Sequence, residues 1–174
     1  MNRLAFATAG IAMVVGLAAS HEASAIQRLN LVNGAGACQG ALPSYEGNLR
    51  KRPTAIANEG TANAFVSCST VQDYLGFAAD AYGIMVNNNT GAAVNVNCTL
   101  ASGIKLNGQT SPILIPKSIP VPANGVAEVQ WQASDNGGDP LPPTGNWSCN
   151  LPVGTEIGSV YVVVEDGSAQ EPAP

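Results

Sequence analysis

The sequence predicts an all-β fold, a single antiparallel β-sandwich of jelly-roll or immunoglobulin-like type carrying two disulfides. Three observations lead there: short segments in which apolar and polar residues alternate with a period of two, turn residues between them about every ten positions, and four cysteines spread along the chain. All 12 prolines and 17 of the 19 glycines lie beyond residue 25, so little uninterrupted chain is left for helices.

The chain opens on a short basic stretch ending at Arg3. An apolar run follows from Leu4 to Ala19, then a polar segment ending Ala23-Ser24-Ala25. A basic start, an apolar middle and an A-x-A site read as a secretory signal peptide over residues 1–25, cleaved after Ala25. The apolar run is shorter than the roughly 20 residues that span a bilayer. The expectation is therefore a secreted or periplasmic protein with no membrane span after cleavage. Cleavage removes Arg3, Glu22 and the single histidine, His21, and leaves the net charge at −5. That acidity argues against nucleic acid, which needs a basic patch to displace counterions.

One β-sandwich domain is expected over residues 26–167, with 168–174 a disordered, Pro-rich tail and no internal repeat. Thr54–Asn58, turned by Glu59-Gly60, leads toward Ala64–Cys68. Tyr82–Asn87 runs through Asn88-Asn89-Thr90-Gly91 into Val94–Leu100, which reads as a hairpin. Val94, Val96, Cys98 and Leu100 face one way, Asn95, Asn97 and Thr99 the other. Pro112–Ile115 and Val126–Gln132 are further strands. Asn146–Leu151 turns Trp147, Cys149 and Leu151 inward, and Glu156–Glu165, apolar on both faces in its middle, should be central. Val71–Asp80 is the one segment suited to a helical turn.

Four cysteines in an exported chain suggest two disulfides, with three connectivities open. Cys38–Cys68 with Cys98–Cys149 is favoured, because Cys98 and Cys149 each lie in an alternating strand while Cys38 sits in a Gly-rich segment nearest Cys68. No C-x₂₋₄-C spacing points to zinc.

With His21 gone and the thiols oxidised, Ser-His-Asp and Cys-His nucleophiles, His-ligated metals and imidazole bases are excluded. Carboxylate pairs among Asp73, Asp80, Asp135 and Asp139 leave glycoside hydrolysis formally open, but no constellation is assembled, and no enzyme and no cofactor are expected. Ser134–Pro140 offers Asp135 and Asp139 as calcium candidates, although its Asp-Asn-Gly composition is also ordinary turn chemistry. Trp131 shares a face with Val129, as Trp147 does with Cys149, so both belong to the core. Arg50-Lys51-Arg52 reads as a solvated loop, with an anionic docking point as the minority reading. The triplets beginning at Asn88, Asn97 and Asn146 satisfy N-x-[ST] and carry no weight.

The order Cys98, Trp131, Cys149 is similar to that of immunoglobulin domains, where a tryptophan packs on an inter-sheet disulfide. Val66-Ser-Cys68, Val96-Asn-Cys98-Thr-Leu100, Cys149-Asn-Leu-Pro152 and Val163-Val-Glu165 together resemble a loosely defined group of exported bacterial β-sandwich proteins of unknown function. That resemblance implies a sandwich with the disulfides favoured above and no activity. The functional expectation is a non-catalytic exported protein that binds a protein or glycan partner or serves the envelope. The alternative is a carbohydrate-active protein, either a lectin-like module or a two-carboxylate hydrolase. A fibre subunit donating Ile26–Val32 as a strand is a third reading.

Overall fold

The computed structural model describes residues 26–70, 79–102, 113–142 and 144–166. The leader with its cleavage site at Ala25, most of the helical turn expected over Val71–Asp80, Asp73, Pro112 and the tail at 168–174 lie outside the described residues. Eleven strands are seen among the described residues: β1 (Ile26–Asn33), β2 (Cys38–Gly40), β3 (Leu49–Lys51), β4 (Ile56–Asn58), β5 (Ala64–Ser69), β6 (Ala79–Asn88), β7 (Val94–Ser102), β8 (Ile113–Val121), β9 (Gly125–Gln132), β10 (Asn146–Leu151) and β11 (Thr155–Asp166). Ala79 and Asp80, where the helical turn was expected to end, already belong to β6.

The strands form two antiparallel sheets, one ordered β3-β4-β11-β6-β9 with β1 also paired to β11, the other β2-β5-β10-β7-β8. From β4 to β11 every connection except β7 to β8 passes from one sheet to the other, and the first and last of these eight strands are neighbours. That order is a jelly roll and excludes the immunoglobulin-like arrangement. Alternation along each strand explains why the sandwich closes. Tyr82, Ile84, Val86, Val129, Trp131 and Val160 of the first sheet are fully buried against Val66, Val96, Leu100, Trp147 and Leu151 of the second.

Both disulfides follow the favoured pairing, Cys38–Cys68 and Cys98–Cys149. Each joins directly opposite residues on neighbouring strands of the five-stranded sheet. They clamp strand to strand and do not bridge the sheets, so the likeness to the immunoglobulin disulfide fails in geometry as well as in topology.

The connection from Tyr82–Asn87 to Val94–Leu100 is not a hairpin, because β6 and β7 lie in different sheets. Alternation says that a strand has an inner face; it does not say which sheet the strand joins. What turns the chain across the sandwich is a buried asparagine. Asn88 Nδ2 donates to the carbonyls of Ala92 at 2.8 Å, Pro122 at 3.0 Å and Val121 at 3.2 Å, while its Oδ1 accepts from Thr90 N–H at 2.9 Å. Asn58 does the same between β4 and β5: Nδ2 donates to Ala62 and Leu151 carbonyls at 2.9 and 2.8 Å, and Oδ1 accepts from Gly60 N–H at 3.1 Å. The sequence around them matches in register: Asn58, Ala62, Val66 and Cys68 recur as Asn88, Ala92, Val96 and Cys98. The expectation of no internal repeat is thus corrected. Each copy is a crossing turn plus the strand it feeds.

β8 runs on through Pro116 and Pro120, well beyond the expected Ile115. It is the edge of its sheet, where a residue without an N–H is tolerated. β1, the segment read as a donated strand, pairs with β11 of its own chain from Ile26↔Asp166 to Asn33↔Ser159. β11 is central, as expected.

Candidate functional site

The two outward faces of the sandwich differ in chemistry. The face of the six-stranded sheet carries acids: Glu128 receives the Tyr161 hydroxyl proton donor, and Glu156 accepts from Asn87 Nδ2 at 2.8 Å. The Tyr161 ring lies flat across Gly83, where an added Cβ would stand 2.1 Å from the ring. Burial, together with the hydrogen bond and negative charge of Glu128, pushes the Tyr161 phenol above its ordinary range.

The face of the five-stranded sheet has no ionisable side chain at any outward position of its strands. Strand register sets the residues in rows. One row runs Phe65–Asn150–Asn97–Ser118; the next runs Gln39–Ser67–Ser148–Thr99–Pro116; a third runs Ser69–Asn146–Ala101–Leu114. Strand neighbours stand about 4.8 Å apart, so amides and hydroxyls are displayed on a regular grid. A hollow of about 510 Å³ opens over the first two rows, between Phe65 and Ser118, with Lys117, paired to Asp135, also in its lining.

Two features of this hollow bear on binding. Phe65 is 41% exposed, and the Tyr45 ring supports it from the adjoining loop, with centroids 5.7 Å apart and planes at 55°. The loop is anchored by a 3₁₀ turn, Pro43–Tyr45, and by Ala41 N–H donating to the Phe65 carbonyl at 2.8 Å. The second feature is Asn150, whose Oδ1 is shielded and has no hydrogen-bond partner. A shielded amide oxygen without a donor is costly, on the order of 1–3 kcal/mol, and a turn of the Asn150 side chain toward the hollow would relieve it by exposing the oxygen to a hydroxyl donor.

The sequence-derived candidates lie elsewhere. Trp131 and Trp147 are both core residues, 0% and 1% exposed; Trp131 Nε1 donates to the Ile115 carbonyl at 2.9 Å, and Trp147 meets Tyr82 edge-on. Asp135 sits in a 3₁₀ turn, Ala133–Asn136, with one carboxylate oxygen taken by Lys117 Nζ at 2.8 Å and Gln132 N–H at 2.9 Å. Burial alone would raise the Asp135 pKa, but the Lys117 hydrogen bond, the Gln132 N–H and the ammonium charge outweigh it and hold the carboxyl below its usual range. Asp139 lies exposed three residues after that turn, and Asp80 is the second residue of β6. Among the described residues, no three His, Cys, Asp or Glu side chains gather as a metal site would require. Arg50, Lys51 and Arg52 diverge: Arg50 donates to the Leu49 carbonyl at 2.8 Å, and Arg52 pairs with Glu59.

Phe65, Tyr45 and Asn150 were missed from the sequence. The signal for Phe65 was present, since in Ala64-Phe-Val-Ser-Cys68 it stands opposite in parity to Val66 and Cys68. An aromatic at an outward position is an exception that alternation exposes. Tyr45 left no comparable signal, because it reaches Phe65 only through the folded loop.

The architecture defines the protein as a jelly-roll β-sandwich. No protein-family model matches the chain, and no curated protein matches it. Similar solved structures include the Clostridium thermocellum endo-1,4-β-D-xylanase 10B CBM22-1–GH10 modules complexed with xylohexaose, at 13% identity and TM-score 0.49 over 82% of this chain and 28% of that one. The Podospora anserina GH26–CBM35 β-(1,4)-mannanase aligns at 11% identity and TM-score 0.40, over 83% of this chain and 28% of that one. A family 35 carbohydrate binding module from Clostridium thermocellum aligns at 10% identity and TM-score 0.45, over 78% of this chain and 97% of the module. The chain thus spans less than a third of the two enzymes.

Proposed function

We propose that this is a non-catalytic glycan-binding module working outside the reducing cytoplasm, with its site on the outward face of the five-stranded sheet. One observation carries the reading: a sheet face with no ionisable side chain at its outward positions, set with Asn, Ser and Thr and bordered by the exposed Phe65. Lys117, the charge that lines its hollow, is paired with Asp135. Sugars are polyhydroxylated and uncharged along most backbones. They offer C–H faces to an aromatic ring and hydroxyls to amides. The two disulfides, and the leader expected from the sequence over residues 1–25, support an extracytoplasmic setting. Absence of imidazole beyond residue 25 supports binding over catalysis.

A glycan array backed by affinity electrophoresis in soluble polysaccharides tests this. Wild type should bind at least one neutral glycan. Phe65→Ala should weaken binding by about 2 kcal/mol, roughly thirtyfold, without loss of fold, because the ring is half in solvent. Silence across array and polysaccharides, or binding indifferent to Phe65→Ala and Asn150→Ala, would reject the reading.

A further inference from the structure

The neutral face has a charged margin. Beside β2 a second hollow, of about 290 Å³, is lined by residues 36–39 and 67–69 together with Lys51 and Asn146. It adjoins the first hollow, since Ser67 of its lining stands directly opposite Ser148 of the other, and Asn146 stands opposite Ser69. Of the three consecutive basic residues, Arg50 is turned to backbone carbonyls and Arg52 to Glu59, but Lys51 has no hydrogen-bond or ion-pair partner among the described residues. Glu46, the acid closest in sequence to this margin, accepts the Gly40 N–H at 2.8 Å. Lys117, the cation lining the first hollow, is paired with Asp135, so Lys51 is the cation along these two hollows left without a partner among the described residues, in a chain of net charge −5.

Resting on the glycan reading above, we infer that the ligand is an acidic glycan: a chain whose neutral units lie over β10, β7 and β8 and which presents a carboxylate-bearing sugar to Lys51 at the β2 margin. The neutral rows supply shape and hydroxyl contacts, and Lys51 selects for the anion. An exposed single ion pair of this kind makes a modest difference, about two- to fivefold in affinity, and salt weakens it.

Matched polymer pairs separate this inference from the reading beneath it: hydroxyethyl against carboxymethyl cellulose, arabinoxylan against glucuronoxylan, and methyl-esterified against de-esterified polygalacturonan. Retardation of wild type, Lys51→Met and Phe65→Ala would be compared at 50 and 500 mM NaCl. Expected for at least one pair is stronger retardation by the acidic member, reduced to the neutral level by Lys51→Met and by high salt, with both members losing hold of Phe65→Ala. Equal retardation of acidic and neutral members, or an acidic preference that survives Lys51→Met, overturns the Lys51 assignment while the glycan reading stands. Retention by no polymer overturns the Lys51 assignment, and together with silence on the glycan array it overturns both, as does acidic retention that Phe65→Ala leaves intact, which would be simple ion exchange.

Discussion

Asp135 illustrates how a residue singled out for one role can be held for another. Its carboxylate caps the 3₁₀ turn through Gln132 N–H and pairs with Lys117, whose ammonium also donates to the Gln130 carbonyl and so joins β8 to β9 across the sandwich edge. A carboxyl whose pKa is lowered by folding adds stability that is complete above the unfolded value and disappears as pH falls through the folded one. The thermal midpoint of wild type should therefore exceed that of Asp135→Asn by a constant margin above pH ~5. That margin should close once the pH drops well below 3.8, the unperturbed value. A gap that persists at pH 2 would mean the residue acts through packing alone. At the same scale, the sequence made the tryptophans conspicuous and the binding aromatic inconspicuous. Trp131 and Trp147 announce themselves by size, yet parity puts them inside, while Phe65 is identified by being out of phase with its buried neighbours.

The repeated crossing turn is the element on which the jelly roll depends. Asn58 and Asn88 are 0% and 1% exposed, and each amide replaces several backbone partners that a tight hairpin would have supplied itself. Replacing Asn88 with Ala takes a partner from the Ala92 and Val121 carbonyls and from the Thr90 N–H, while Pro122 keeps the Gly125 N–H, so a loss of about 2–4 kcal/mol is expected. Urea denaturation would measure it, with Asn89→Ala on the exposed turn as the control expected to stay within about 0.5 kcal/mol. Equal effects from the two would deny Asn88 its structural role. Strand existence was legible here because alternation is a local property, and β5, β7, β10 and β11 fall close to where the pattern put them. Sheet membership was not, because it depends on which side chain fills the gap behind the turn. β8 was cut short for a related reason: Pro116 and Pro120 break a central strand but suit an edge, and only the folded sheet shows which one it is.

On the scale of the whole molecule, the two disulfides reinforce one sheet, the one bearing the proposed site. Chain entropy puts each at about 4 kcal/mol, but they should not be equivalent in effect. Cys98–Cys149 joins inner strands β7 and β10, whereas Cys38–Cys68 holds β2, a three-residue edge strand. Replacing Cys38 and Cys68 with Ser should abolish hydrogen-exchange protection in β2 while β7 and β10 keep theirs; replacing Cys98 and Cys149 should lower protection throughout. Uniform loss in both variants would contradict this division. The pairing itself was readable from position along the chain, since strand cysteines with matched inward parity are natural partners. The face they sit behind was not readable, because its character emerges only when four strands distant in sequence are laid side by side. The most direct test of that face is a ¹⁵N–¹H shift map of the protein titrated with a neutral oligosaccharide chosen from the glycan array. Perturbations are expected at Phe65, Ser67, Asn97, Thr99, Ser148 and Asn150, including the Asn150 side-chain amide. Shifts centred on Tyr161 and Glu128 of the opposite sheet, or an unchanged spectrum at saturating sugar, would contradict the account.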